Sequence, residues 1–329
     1  MALARPHPRF RRRALGAAVA LAALVAVACN PTVVLPGAPN CPVTPANSYW
    51  RADVSRLPVN SRSAAYVTSV GTASTLKADF GSGLWDGGPI GIPFTTVPGT
   101  QAKVKMTFDY ASDSDKGPYP IPANAPIEGG PASTGDRHVI VVDRDACKLY
   151  ETWDSHPNVD GSWHDGSGAV FDMKSNAMRP STWTSADAAG LPILPGLVRY
   201  EEVASGTVPH AIRITVPTTQ KAFIWPARHQ AGSTTSLNAP PMGTWFRLKS
   251  SIDPTKFDPA VRPIVVALQK FGAIVADNGS SWYISGVPDS RWDNDKLQTL
   301  RTIKGSDFEA VDSSSLIVDP NSGQATTAS

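Results

Sequence analysis

Proline and glycine punctuate this chain, 30 and 26 of its 329 residues, so often that few stretches are long enough for a sustained helix. A helix interior tolerates neither well, and the segments between these breakers are short and β-branched. The expectation is a mainly β protein: a β-sandwich-like or barrel-like single domain with long loops and two or three short helices. Lys103–Tyr110 alternates, with Val104, Met106 and Phe108 on one face and Lys103, Lys105 and Thr107 on the other. His138–Asp143 and Cys147–Thr152 read as a hairpin around Arg144-Asp145-Ala146, apolar on both faces and so central between two layers. A regular register centred on Asp145 sets His138 opposite Thr152 and puts Asp143 and Glu151 on the other face. Asn278-Gly279, between Ala273–Asp277 and Ser280–Ser285, reads as a type I′ hairpin turn. Ala211–Val216, Ala222–Trp225 and Thr244–Lys249 add strands. Helices are expected after Asp258-Pro259, with Val261, Ile264, Val265, Leu268 and Phe271 on one stripe and Gly272 as the stop, from about Asp293 to Thr302, and from Asn60 or Ser61 to near Gly71.

The two ends have a different composition. Arg9 and Arg11–Arg13 precede an uncharged apolar run, Ala14–Ala28, which reads as a bacterial secretory signal over residues 1–28. Ala26-Val27-Ala28-Cys29 resembles a lipobox, in which Cys29 becomes the lipid-bearing first residue. The other reading is a soluble secreted protein cut at Ala28. Either way the chain is exported, anchored outside the cell membrane by an N-terminal lipid or released. With Cys29 set aside, Cys41 and Cys147 remain as one disulfide pair in an oxidising compartment. Residues 29–48 read as a Pro-rich tether, 49–312 as the single domain and 313–329 as a disordered tail.

Residues 1–28 hold five arginines and no acid, so their removal takes the formal charge from +2 to −3. A mildly acidic domain without Lys/Arg clusters argues against nucleic acid as a partner, and a monomer is expected.

The segments PYPIPANAPIEGG, DRHVIVVDRDACKLYE, WTSADAAGLPILPGLVRYEEV, WPARH and ADNGSSWYISG carry a resemblance that spans residues 48–312. On these the chain resembles a family of exported bacterial proteins, common in soil organisms, that has no established activity. The resemblance therefore brings no catalytic residue. A similarity of style to β-sandwich carbohydrate-active enzymes is an analogy of fold alone.

Chemistry must be read from the residues. No close His pair gives metal-ligand spacing, so neither metal nor cofactor is expected; a metal site would have to be assembled from His138, His210 and His229 on separate strands. Trp225-Pro226-Ala227-Arg228-His229 offers a platform for a sugar ring, a guanidinium for a carboxylate and an imidazole for proton transfer, with His210 and Arg213 near the same cleft. Glycoside hydrolysis needs two carboxylates about 5–10 Å apart. Glu128, in an irregular Pro-Ile-Glu-Gly-Gly loop, and Asp143 and Glu151, on the central hairpin on the face opposite His138, are the candidate carboxylates. Asp277 and Asp187 read as turn and capping residues. Trp85, Trp153, Trp163 and Trp183 lie in Gly/Ser/Asp-rich loops, as aromatic rings that line glycan clefts do. The catalytic candidates are thus Glu128, His138, Glu151, His210, Arg228 and His229, and the ligand-binding candidates Trp153, Trp183 and Trp225. The expected partner is polysaccharide, bound or cleaved by hydrolysis or lysis; the alternative is a non-catalytic surface module that binds glycan or protein.

Overall fold

The computed structural model describes residues 1–2 and 34–326. The expected signal from residue 3 onward, Cys29 and residues 327–329 lie outside the described residues. Two sheets organise the rest. The larger is mixed, in the order Phe308–Ala310, Trp245–Leu248, Ala273–Asn278, Ile212–Val216, Tyr283–Ser285 and Lys77–Asp79. The smaller runs Ser167–Asp172, Lys148–Trp153, Val139–Asp143, Phe94–Val97. Both are open, so the architecture is mainly β without a closed barrel. A three-stranded sheet joins His156–Pro157, Trp163–Asp165 and Met106–Phe108.

Apolar patterning explains the layers. Val139–Asp143 is buried along its whole length: Ile140, Val142 and Leu149 pack against Leu35, Ile193, Leu194 and Leu197, while Val139, Val141 and Tyr150 pack against Met106, Tyr119 and Trp163. The smaller sheet therefore lies between two layers, as its two apolar faces imply. The larger sheet is covered by the helix Arg262–Lys270, which buries Ile264, Val265 and Leu268 and ends before Gly272 at φ 70°. Its first turn starts later than expected, with Val261 rather than Asp258 at the cap. Ser63–Val70 and Asn294–Gln298 are the other anticipated helices, the latter capped by the Asp293 side chain on the Lys296 N–H. Tyr200–Ala204 forms a fourth short helix. No helix among the described residues is long and apolar enough to cross a membrane.

The termini are folded further than their composition suggests. Residues 34–48, read as tether, contain the strand Ala38–Pro42 and bury Leu35, Ala38, Cys41 and Val43. Residues 313–326, read as tail, bury Leu316 and Ala325, and the Ala325 N–H donates to Asn47 O. Backbone pairing satisfies polar segments that have little apolar content of their own.

Cys41 and Cys147 form the expected disulfide, closing a separation of 106 residues, and such a bond fits an oxidising compartment. Both half-cystines are buried. Replacing both by Ser is expected to cost about 2–4 kcal/mol through the entropy returned to the unfolded chain, read as a lower denaturant midpoint.

Three local expectations differ from the structure. The central hairpin pairs Val139 with Thr152 and Ile140 with Glu151, one residue away from the register centred on Asp145. The turn takes four residues: Asp143 Oδ1 accepts the Asp145 and Ala146 N–H groups, and Cys147 adopts φ 53°. A one-residue slip exchanges faces, so Glu151 sits on the His138 face rather than opposite it. Asn278-Gly279 is not a two-residue hairpin, because Ile212–Val216 lies between Ala273–Asn278 and Tyr283–Ser285 and pairs with both. Ala222–Trp225 forms no strand, only an isolated bridge from Phe223 to Met242.

Candidate functional site

Residues 184–198 join the two sheets and bring their polar groups together. The Ala189 N–H donates to Ala276 O and the Val198 N–H to Ser285 O, which fastens this segment to the larger sheet. On the other side, the Ile193 and Leu194 N–H groups donate to the Glu151 carboxylate at 2.8–3.0 Å.

On the larger sheet, Arg213 is buried at the centre of a charged group. Its Nε and Nη2 donate to the two oxygens of Asp187 at 3.0 and 2.8 Å, Nη2 also to Asp277 Oδ2 at 3.0 Å, and Nη1 to Ser285 Oγ at 2.8 Å. A shift in strand register brings Asp277 here. Ile214 pairs with Val275 but Thr215 with Asp277, leaving Ala276 unpaired. Such a shift re-aims one side chain, here onto the face that carries Arg213.

On the smaller sheet, His138 is also buried. Its Nε2 lies 3.1 Å from Ala186 O and its Nδ1 2.5 Å from Glu128 Oε2. A carbonyl oxygen only accepts, and so does an ionised carboxylate, so both ring nitrogens carry protons. Burial pushes this pKa down, but the Glu128 charge and hydrogen bond prevail and lift it to about 9. Burial pushes Glu128 up, and His138 overrides it, so its carboxyl titrates below the usual range.

Two ion pairs, Glu128–His138 and Asp187–Arg213, thus neutralise each other's members and leave Asp277 as the surplus carboxyl. Burial raises its pKa to about 6, against the pull of Arg213 and with the help of the Asp187 charge. Glu151, fully buried, is raised to about 7 by desolvation, against its backbone N–H donors. It caps a backbone turn.

Asp277 opens onto a cleft of about 420 Å³. Its walls include Tyr110, Asp113, Asp136, Trp153, Thr184, Ser185, His229 and Asn278, and no Lys or Arg among the described residues. The Trp153 indole N–H donates to Asp136 Oδ1 at 3.3 Å, and its ring lies 6.2 Å from that of Tyr110. The His229 Nδ1–H donates to Ala188 O at 2.9 Å, which fixes the orientation of the ring. Glu128, Asp136 and His138 each offer a ligand atom within 4.8 Å of the others, so among the described residues they are the set that could hold a metal ion; His138, His210 and His229, from which a metal site would have had to be assembled, are not brought together as ligands. His138 already holds a proton where an ion would bind.

Of the residues singled out in the sequence, Glu128 and His138 meet, Glu151 lies on their face, and His229 and Trp153 line the cleft. The others go elsewhere. The His210 Nε2 faces Glu202 at 3.1 Å, within a buried group completed by Arg199. Arg228 donates to Arg179 O, Pro320 O and Asn321 Oδ1, clamping the C-terminal segment. Trp225 is buried against Tyr49 and Trp245 and donates to Ser322 O. Trp183 lies under the Arg179 guanidinium at 5.5 Å and is not among the residues of the cleft wall. The expected cluster in Trp225–His229 disperses because consecutive residues of an irregular loop point in different directions.

Asp136, Asp187, Asp277 and Arg213 are the residues that reading by motif underweighted. A usable signal was present: an Arg in AIRITV and an Asp in AIVADN are lone charges on apolar strands, and lone buried charges need each other.

Asp165 is a buried carboxyl of another kind. It is fully buried on Trp163–Asp165, and the adjacent Thr152 and Ser155 hydroxyls, which bond to each other at 2.6 Å, only partly offset its burial. Burial raises its pKa to about 7. A carboxyl that binds its proton more tightly folded than unfolded contributes stability at low pH and loses it as pH rises through the folded value. Asp165→Asn is therefore expected to stabilise the protein by about 1–3 kcal/mol at pH 8, and by less at pH 5, in paired denaturant titrations.

Compared with models of known protein families, with curated proteins and with solved structures, the chain matches none.

Proposed function

We propose that this is an exported glycan hydrolase, with the cleft beside Asp277 as its active site. The observation that carries the reading is the surplus Asp277 carboxyl, raised to about 6, at the edge of a cleft walled by Trp153 and Tyr110. A sugar ring stacks on the Trp153 face, and the His229 Nε2 forms a hydrogen bond with one of its hydroxyls. Asp277 donates its proton to the glycosidic oxygen as the bond to the anomeric carbon breaks. Asp136, the second carboxylate, takes a proton from the water that adds to that carbon. Hydrolysis is favoured over lysis because β-elimination from a uronic acid requires a cation to neutralise the sugar carboxylate, and no Lys or Arg lines the cleft among the described residues.

The test is to incubate the exported chain with a panel of neutral, amino and uronic polysaccharides and to weigh the released oligosaccharides by mass spectrometry. Products with one added water per bond cut support the reading. Unsaturated products lacking that water indicate a lyase, and retention of polymers without any release indicates the non-catalytic module.

A further inference from the structure

Trp85 stands near the tip of a rigid hairpin with its ring in water. Leu84–Trp85 pairs with Gly88–Pro89 across the two-residue turn Asp86-Gly87, whose φ values of 49° and 84° are those of a type I′ turn. The Gly81 N–H closes the base on Ile90 O at 3.1 Å, and the Asn294 side chain accepts from the Ser82 N–H and donates to Ser82 O. On its inner side the hairpin lies flush against the loop that carries Glu128: a Cβ on Gly88 would meet the Gly129 carbonyl at 2.0 Å, so only glycine fits. That loop returns through Asp136 in the cleft wall, whose carboxylate lies within 4.8 Å of the Glu128 carboxylate. The hairpin is thus fixed to the rim of the cleft. Yet Trp85 is 79% exposed and Leu84 68%. Among the described residues, Tyr110 is the other exposed Trp, Tyr or Phe, and it lines the cleft. A large ring held in water on a preorganised framework does nothing for the fold, and is the form a stacking surface for a ligand takes.

We infer that Trp85 is an outlying sugar subsite, on which one ring of a glycan chain stacks while another part of the same chain fills the cleft, so that the preferred substrate is a long polymer. The inference rests on the glycan reading above and deepens it. The apolar face of a pyranose covers the exposed indole, and a second contact on one chain adds affinity because its effective concentration is high once the first is made. A lipid surface is a poorer match: the turn carries the acid Asp86, and residues 81–90 hold no Lys or Arg to meet anionic headgroups.

The experiment is affinity electrophoresis of the Asp277→Asn protein, in which turnover is blocked, through gels containing mixed-linkage β-glucan, xylan, glycol chitosan or polygalacturonate. The same protein carrying Trp85→Ala or Trp85→Phe is run beside it, and tetrasaccharides cut from the four polymers are bound calorimetrically. The expected result is retardation by at least one polymer, weakened about tenfold by Trp85→Ala and largely recovered by Trp85→Phe, with the matching tetrasaccharide weakened by less than about twofold. Unchanged melting temperatures show that the variants are folded. If Trp85→Ala is retarded as strongly as its parent, or loses tetrasaccharide and polymer equally, the outlying subsite is overturned and the glycan reading stands. If no polymer or tetrasaccharide binds, both are overturned, and binding to phosphatidylglycerol vesicles that depends on Trp85 would then assign the hairpin to a lipid surface.

Discussion

Asp277→Asn is expected to lower glycan release by roughly 10²–10⁴-fold while leaving the protein folded, because it removes a proton donor and keeps the shape. The Asn carbonyl can still accept from Arg213, and the charge lost is one that burial already opposes. The melting temperature of the variant relative to the wild type should therefore rise as pH goes from about 4 to about 6 and hold steady above that, since a carboxyl with a raised folded pKa takes stability away between its unfolded and folded values. The wild-type rate should fall by about tenfold per pH unit once pH exceeds about 6, the range in which Asp277 gives up its proton. Loss of activity with a gain in stability is the pairing that separates an acid catalyst from a structural carboxylate. Rates and melting curves on one protein preparation, collected from pH 4.5 to 8, provide both readings.

Arg213→Met is expected to destabilise the fold by about 3–5 kcal/mol, the largest effect on stability among these predictions. Asp187 is fully buried and both of its carboxylate oxygens bond to the Arg213 guanidinium. With the guanidinium gone, Asp187 must be protonated or remain as an unpaired buried charge. The double variant Arg213→Met with Asp187→Leu removes both charges, and most of the lost stability should return. Denaturant titration of the four proteins of this cycle measures the coupling. The double variant should nevertheless remain poor at glycan release, because Asp277 loses the partner that holds Oδ2 in place.

The contrast between these two residues explains what the sequence made legible. Alternation and apolar runs marked the central hairpin and the helix Arg262–Lys270, because burial patterns are local properties of a chain, while the Cys41–Cys147 link followed from the cysteine count once Cys29 was set aside. The hairpin register was missed by one residue, since the turn at Arg144–Cys147 depends on an Asp143 side chain holding two N–H groups and on a left-handed Cys147. Asp277 looked like a turn residue because its neighbours are Asn and Gly. Its role depends on a strand inserted from residues 212–216, more than 60 positions earlier, and on a register shift at Ala276. Likewise Glu128 and His138 were visible as ionisable groups among apolar neighbours, yet their union required the Glu128 loop to fold back over the strand, with the Glu128 N–H donating to His138 O. Polar contacts across the junction of two sheets follow from topology and have no periodic signature.

The most direct test needs no substrate: a ¹³C NMR titration of the aspartate carboxyls, with Asp277 assigned from the difference between wild type and Asp277→Asn. A midpoint near pH 6 for Asp277 is the predicted result and would give the cleft a carboxyl that is still protonated in mildly acidic surroundings. A midpoint below pH 4 would mean that Arg213 holds Asp277 fully ionised, and the account of Asp277 as a proton donor would be wrong.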